Sequence, residues 1–151
     1  MPDLFSEENI KAFVAAWYLT LDIHAPVGEC LKLLADEGLE MVFPEKTMRT
    51  AAEFQDWYTA VTNFFFDENH NVASVDIDVS GDKATLGVVV AWQASWFVPP
   101  AAKSKRTSMD ATQKWIVQKT KSPDKNAFGL EIVYYNATVV PFQYAPGFAR
   151  L

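Results

Sequence analysis

Few side chains in this sequence could carry a proton near neutral pH. Only two, His24 and His70, titrate there unaided. A buried carboxylate that orients an imidazole makes a general base, provided burial or the partner tunes the ring toward neutrality. His70 opens an apolar, alternating stretch and follows Asp67 and Glu68 closely, with Asp22 upstream as an orienting partner. A histidine merely bonded at a helix–strand junction would show the same sequence. Asp22-Ile23-His24 reads either as a local acid–base pair or as a helix ending in a turn. Asp110 sits inside an apolar run, where an unpaired buried carboxylate costs several kcal/mol or takes up a proton. Facing inward it is a third proton carrier; at a solvated edge it carries none. Tyr134 and Asn136 share a strand face and offer a hydroxyl and an amide to a ligand, or simply pair across strands.

Aromatic side chains surround these few polar ones. Trp17, Tyr18, Trp57, Trp92, Trp96 and Trp115 exceed what a core of this size needs. Large rings with sparse polar groups are the usual lining of a small-molecule site. The same rings on an outer sheet face would make a homodimer interface. Cys30 has no cysteine partner, and Glu40, Glu45 and Glu53 are too scattered, with only two histidines, to suggest a metal site. The chemistry implied needs neither metal nor organic cofactor. The basic Lys103, Lys105 and Arg106 read as a solvated loop.

The elements that must position these groups are legible in the periodicity. Ile10, Phe13, Val14, Trp17, Tyr18 and Leu21 recur at helical spacing behind a Ser6 cap, and the helix should stop near Asp22 before Ala25-Pro26. Pro26 opens a shorter helix with the stripe Val27, Cys30, Leu31 and Leu34, stopped by Gly38. Leu39, Met41 and Phe43 form a short strand ended by Pro44. Thr50-Ala51-Ala52-Glu53 is a capping box, opening a third helix with Phe54, Trp57, Tyr58, Val61 and Phe65 inward. From His70 to Phe97 runs one long hairpin. Val75, Ile77 and Val79 alternate with polar residues, Gly81-Asp82 makes the turn, and Ala84, Leu86, Val88, Val90 and Trp92 return. Two further strands are expected around Met109–Lys119 and Phe128–Val140, followed by an aromatic, proline-punctuated segment, 141–151, as lid or dimer strap.

Helices grouped before strands point to an α+β layer arrangement. The chain has 151 residues, half of them hydrophobic and 14% aromatic, which fits one domain, 1–151, with a core that needs no staples. A formal charge of −6 argues against nonspecific nucleic-acid binding, which requires clustered cations. The acidic start lacks the order of a secretory signal, and no apolar run approaches a membrane span. A soluble, cytoplasmic protein without membrane or nucleic-acid partners is expected.

Three stretches carry a resemblance to a known superfamily: Tyr18-Leu19-Thr20-Leu21-Asp22, Gly38–Pro44, and His70-Asn71-Val72 with Gly81-Asp82-Lys83-Ala84. In this layout the chain resembles the nuclear transport factor 2-like superfamily, and within it the SnoaL-like proteins. The resemblance implies three N-terminal helices packed on a strongly curved, mainly antiparallel sheet, forming a cone-like pocket. It implies dehydratase, isomerase or cyclase chemistry, with Asp22 and His70 at the positions of an acid–base pair. Phe43 stands where scytalone dehydratase-like members place a tyrosine, and Ala94 where they place a second histidine. The combined expectation is an apolar or aromatic small molecule held by Trp17, Tyr18, Phe43, Trp57, Trp92, Trp115, Tyr134 and Asn136. His70, Asp110 and Asp22 would be the catalytic groups, in a homodimer paired through the outer sheet face. Noncatalytic ligand binding and pure dimerisation are the alternatives.

Overall fold

A computed structural model describes residues 3–151. The first helix, α1 (Glu7–Asp22), begins where Ser6 accepts a hydrogen bond from the Asn9 amide and Glu7 and Glu8 face the positive dipole end. Its stripe of Ile10, Phe13, Val14, Trp17 and Tyr18 is buried. The helix α2 (Val27–Leu31) is shorter than its stripe predicts. Beyond it the chain turns to the sheet instead, through paired bonds from Ala35 N to Ile132 O and from Ile132 N to Leu33 O. Gly38 keeps its left-handed conformation, but in the turn before β1 (Glu40–Val42) rather than at a helix end. A strand not foreseen, β2 (Thr47–Met48), pairs antiparallel with β1. In α3 (Ala51–Phe64) the Thr50 hydroxyl accepts from Glu53 N, while the Glu53 carboxylate reaches Arg49 N, one residue beyond the reciprocal partner of a capping box.

The four long strands are β3 (Phe65–Ser80), β4 (Lys83–Trp96), β5 (Lys105–Lys119) and β6 (Leu130–Asn136), with β7 (Gln143–Tyr144) closing the chain. They form a curved, seven-stranded mixed sheet ordered β2-β1-β6-β5-β4-β3, with β7 on β5. Of these strand pairings only β1–β6 is parallel. The hairpin turns at Gly81-Asp82, with Ser80 opposite Lys83 and Gly81 at φ +64°. The third strand starts directly at the end of α3, five residues before His70. Lys105 and Arg106, expected in a loop, begin β5.

One face of the sheet meets the helices. Ala84, Leu86, Val88 and Val90 of β4 and Thr107, Met109, Ala111, Gln113, Trp115 and Val117 of β5 are buried in strict alternation. Trp17 joins the layers, its ring lying within 6.4 Å of Phe54, Trp115 and Tyr135.

The third strand breaks its own alternation twice. Two residues, Asp67 and Glu68, oppose the single Ala94, and Ala73 has no partner between Val72 and Ser74. Each bulge inserts one residue, and a one-residue insertion reverses which parity faces inward. Phe65 at one end and Val75 and Ile77 at the other are half-buried odd-numbered positions. Between the bulges the inward parity is even, and that window holds Glu68 and His70.

Candidate active site

The inner face of the strands, the end of α1 and one side of α3 enclose a cavity of about 140 Å³. Phe65, Glu68 and His70 of β3, Val90 and Trp92 of β4, Met109, Ala111 and Gln113 of β5, and Tyr135 of β6 form its sheet wall. Trp57, Tyr58, Val61 and Thr62 of α3 face them, with Phe43 to Glu45 at one side and Phe142 and Leu151 at another. An apolar protein cavity of roughly 150 Å³ takes up benzene. The space thus suits a single small ring, with any further group reaching out through the cavity's open side.

His70 is held by Asp22 at two points. Its backbone N–H donates to Asp22 Oδ2 at 2.9 Å, and its Nδ1 lies 2.5 Å from Oδ1. The carboxylate comes from the last residue of α1 and the imidazole from the bulged window of β3, so the pair ties helix to sheet. The side chains are 11% and 19% exposed, enough burial for the contact to act through a low dielectric. Tyr18 lies nearly parallel to the imidazole at 4.8 Å and 21°, and Trp92 at 6.0 Å and 24°. With Nδ1 donating to a carboxylate, the proton-free nitrogen is Nε2. Among the described residues no hydrogen bond engages it.

Gln113 provides a donor to the same space. Its Oε1 accepts from Tyr18 Oη at 2.6 Å and from Trp115 Nε1 at 3.0 Å. An indole N–H only donates, so the amide oxygen must face it, and the NH2 end is turned toward the Tyr135 phenol and the cavity that both residues line. Burial raises the Tyr18 phenol well above its ordinary range and pushes Tyr135 up to about 12, so both stay protonated donors. Two carboxylates line the cavity itself, Glu45, which accepts from Trp57 Nε1 at 3.0 Å, and Glu68. Glu68 Oε1 accepts from Trp92 Nε1 at 3.1 Å, and its Oε2 lies 2.5 Å from His24 Nε2.

The expected site residues thus divide. Asp22, His70, Phe43, Trp57 and Trp92 come together at the cavity or directly behind it. Phe43 stacks between Trp57 at 4.4 Å and Tyr135 at 5.4 Å. Tyr18 backs the imidazole, whereas Trp17 and Trp115 are fully buried behind the wall. Asp110 does not join them: it is exposed, on the opposite face of β5 from Met109 and Ala111. Tyr134 and Asn136 also lie off the cavity, bonded to each other at 2.9 Å, and Glu40 of β1 pairs opposite Tyr134. Asp110, Tyr134 and Asn136 therefore do not line the cavity as expected, because strand parity turns them outward. Glu68 and Gln113 are the additions. Their signals were a carboxylate two residues before the histidine and an amide alternating with buried apolar residues. No group of three or more His, Cys, Asp or Glu side chains able to hold a metal ion occurs among the described residues. No described helix is long and apolar enough to cross a membrane.

No protein-family model and no curated protein matches the sequence. Solved structures do match over nearly the whole chain. A nuclear transport factor 2-like superfamily protein from Salmonella enterica is 15% identical with a TM-score of 0.68, over 95% of this chain and 91% of that one. The hexachlorocyclohexane dehydrochlorinase LinA-type3 from Novosphingobium barchaimii LL02 is 14% identical with a TM-score of 0.71, over 95% and 92%. The CaMKII hub of S. rosetta is 12% identical with a TM-score of 0.66, over 96% and 100%. The fold is the cystatin-like, nuclear transport factor 2-like α+β cone. It is shared by a dehydrochlorinase and by a CaMKII hub, and fold alone does not choose a function.

Proposed function

We propose that the protein is an acid–base enzyme that removes a proton from carbon in a small, mostly apolar ring compound, leading to elimination or isomerisation. The observation that carries this reading is the Asp22–His70 pair, with Nδ1 and the backbone N–H both bound to one carboxylate and Nε2 without a described partner on a residue that lines the cavity. Asp22 fixes the tautomer and stabilises the imidazolium formed when Nε2 takes the proton. Gln113 directs an N–H donor at charge developing on the substrate. That a dehydrochlorinase shares the fold supports an elimination.

A nitrobenzisoxazole tests this without knowledge of the natural substrate, because its ring opens when a base removes one C–H proton. The wild-type chain should open it faster than free imidazole at equal concentration, and His70→Ala should lose about 10²–10⁴-fold. A rate no better than imidazole, or one indifferent to His70→Ala, would leave ligand binding as the surviving function.

A second reading concerns assembly. The outer face of β4 presents Thr85, Gly87, Val89 and Ala91, small side chains between the acids Asp76 and Asp78 of β3 and Lys114 of β5. A two-fold axis through such a face can set the acids of one copy over the lysine of the other. We infer a homodimer through this face. Sedimentation at low micromolar concentration should give twice the chain mass, and Val89→Lys should give the monomer.

A further inference from the structure

Besides Asp22–His70 there is a second histidine–carboxylate pair, in which Glu68 of the cavity wall meets His24 behind it. Its carboxylate, Glu68, owes its position to the first β3 bulge. Asp67 adopts φ +51°, a left-handed conformation that aspartate tolerates better than most residues, and Glu68 is turned to the inner face. The bulge is fastened from β5. Arg106 Nη1 donates to the Asp67 carbonyl at 3.0 Å and to Ser95 Oγ at 2.8 Å, while Nη2 reaches Gln93 Oε1 at 3.3 Å. Glu68 is itself held at both oxygens, by the Trp92 indole and by His24. The same Trp92 ring lies parallel to the His70 imidazole, so one side chain spaces the two pairs. A carboxylate aimed into a largely apolar wall, only 10% exposed, is costly unless it is paired or used. Its partner His24 is 29% exposed and sits in a turn at φ +50°, after the end of α1. The pair thus runs from cavity to solvent.

We infer that Glu68 is the general acid that protonates the leaving group, with His24 as its route to bulk water. The inference rests on His70 being the base. His70 Nε2 takes the proton from carbon, and the C–H electron pair becomes the new π bond. The bond to the leaving oxygen breaks with its pair on oxygen, and that oxygen takes a proton from the Glu68 carboxyl. His24 Nε2 supplies the proton to Glu68 Oε2 across their 2.5 Å contact. The cycle closes when His70 releases its proton to water and His24 takes one from it. The substrate class follows: a small cyclic compound with an acidic C–H and a poor, oxygen-based leaving group, whose departure needs the acid.

The test uses a series of benzisoxazoles, which share one C–H proton and one N–O bond to break but differ in ring substituent and so in leaving-group basicity. With the wild-type chain the rate should fall only shallowly from the nitro compound to the methoxy compound. Glu68→Gln keeps an acceptor for Trp92 but cannot donate a carboxyl proton. It should lower the ratio of methoxy to nitro rates at least tenfold, on the order expected for loss of one proton-transfer group. His24→Asn suits the left-handed position and should lower the same ratio with Glu68 in place, guarding against misfolding of the first variant. An unchanged ratio in both variants, with turnover still dependent on His70, would overturn the role of Glu68 and leave the base standing. Absence of any His70-dependent turnover across the series would overturn both.

Discussion

Asp22 binds two donors of a single residue, and this makes its amide variant informative. In Asp22→Asn the side-chain oxygen can still accept from the His70 backbone N–H, but the new NH2 would donate to Nδ1 and drive the imidazole proton onto Nε2. The variant should therefore fold and still bind, yet lose about 10²–10⁴-fold in nitrobenzisoxazole kcat with little change in KM, because the wrong tautomer has no base. Other buried groups answer to pH. Burial raises Tyr135 to about 12, against about 10 when unfolded. Above pH ~10 the unfolded chain loses that proton while the native one keeps it, so stability falls as pH rises. This contribution is intact below ~10 and disappears as pH approaches about 12. The urea midpoint of Tyr135→Phe should accordingly drop less between pH 9 and 11 than that of the wild type. Cys30 is fully buried, and burial pushes its thiol to about 11. Ellman's reagent at pH 8 should find no thiol in the native protein and one in urea.

At the scale of elements, glycine has opposite meanings at two positions. Gly81 sits at φ +64° in the hairpin turn, so Gly81→Ala should cost about 1–2 kcal/mol of unfolding free energy although nothing lies near the added methyl. Gly28, inside α2, has open space and an ordinary φ; Gly28→Ala should stabilise by about 0.5–1 kcal/mol. Urea titration of the two variants reads the sign directly. Such local devices were legible in the sequence: the Ser6 cap, the α1 stripe, the Gly81-Asp82 turn and the α+β order all follow from short-range preference. The β3 bulges were not. Alternation counted back from Ile77 and Val75 places even-numbered residues on the wet face, His70 and Glu68 among them. Only the unpaired Ala73, visible once β4 lies alongside, turns that window inward. The parallel β1–β6 pairing escaped for the same reason, since the two strands are far apart in the chain. Asp110 shows the converse. Its outward parity relative to Gln113 and Trp115 was readable, but which face met the helices was not.

For the molecule as a whole, the remaining question is what closes the cavity. Beyond Asn136 the chain returns to β5, pairing Gln143 with Asp110 and Tyr144 with Met109, and then bonding Ala145 N to Ser108 O and Ala149 N to Arg106 O. It thus occupies the edge of β5 from Arg106 to Asp110, which β6 leaves unpaired. From there Phe142 and Leu151 reach the cavity. The edge pairing and the two apolar contacts belong to one segment, so binding and edge protection should be lost together. Removing residues 141–151 is expected to weaken retention of an apolar fluorescent ligand by at least tenfold, mainly through faster release, as for any lid. Sedimentation of the same variant separates lid from strap. If the dimer forms through the outer face of β4, its mass remains that of two chains while the ligand escapes. If the segment bridges copies, the dimer dissociates too. The exposed β5 edge then adds a third signature, concentration-dependent association beyond the dimer, because unpaired backbone donors and acceptors accept foreign strands. A variant that keeps ligand, mass and solubility unchanged would show that 141–151 neither closes the cavity nor guards that edge.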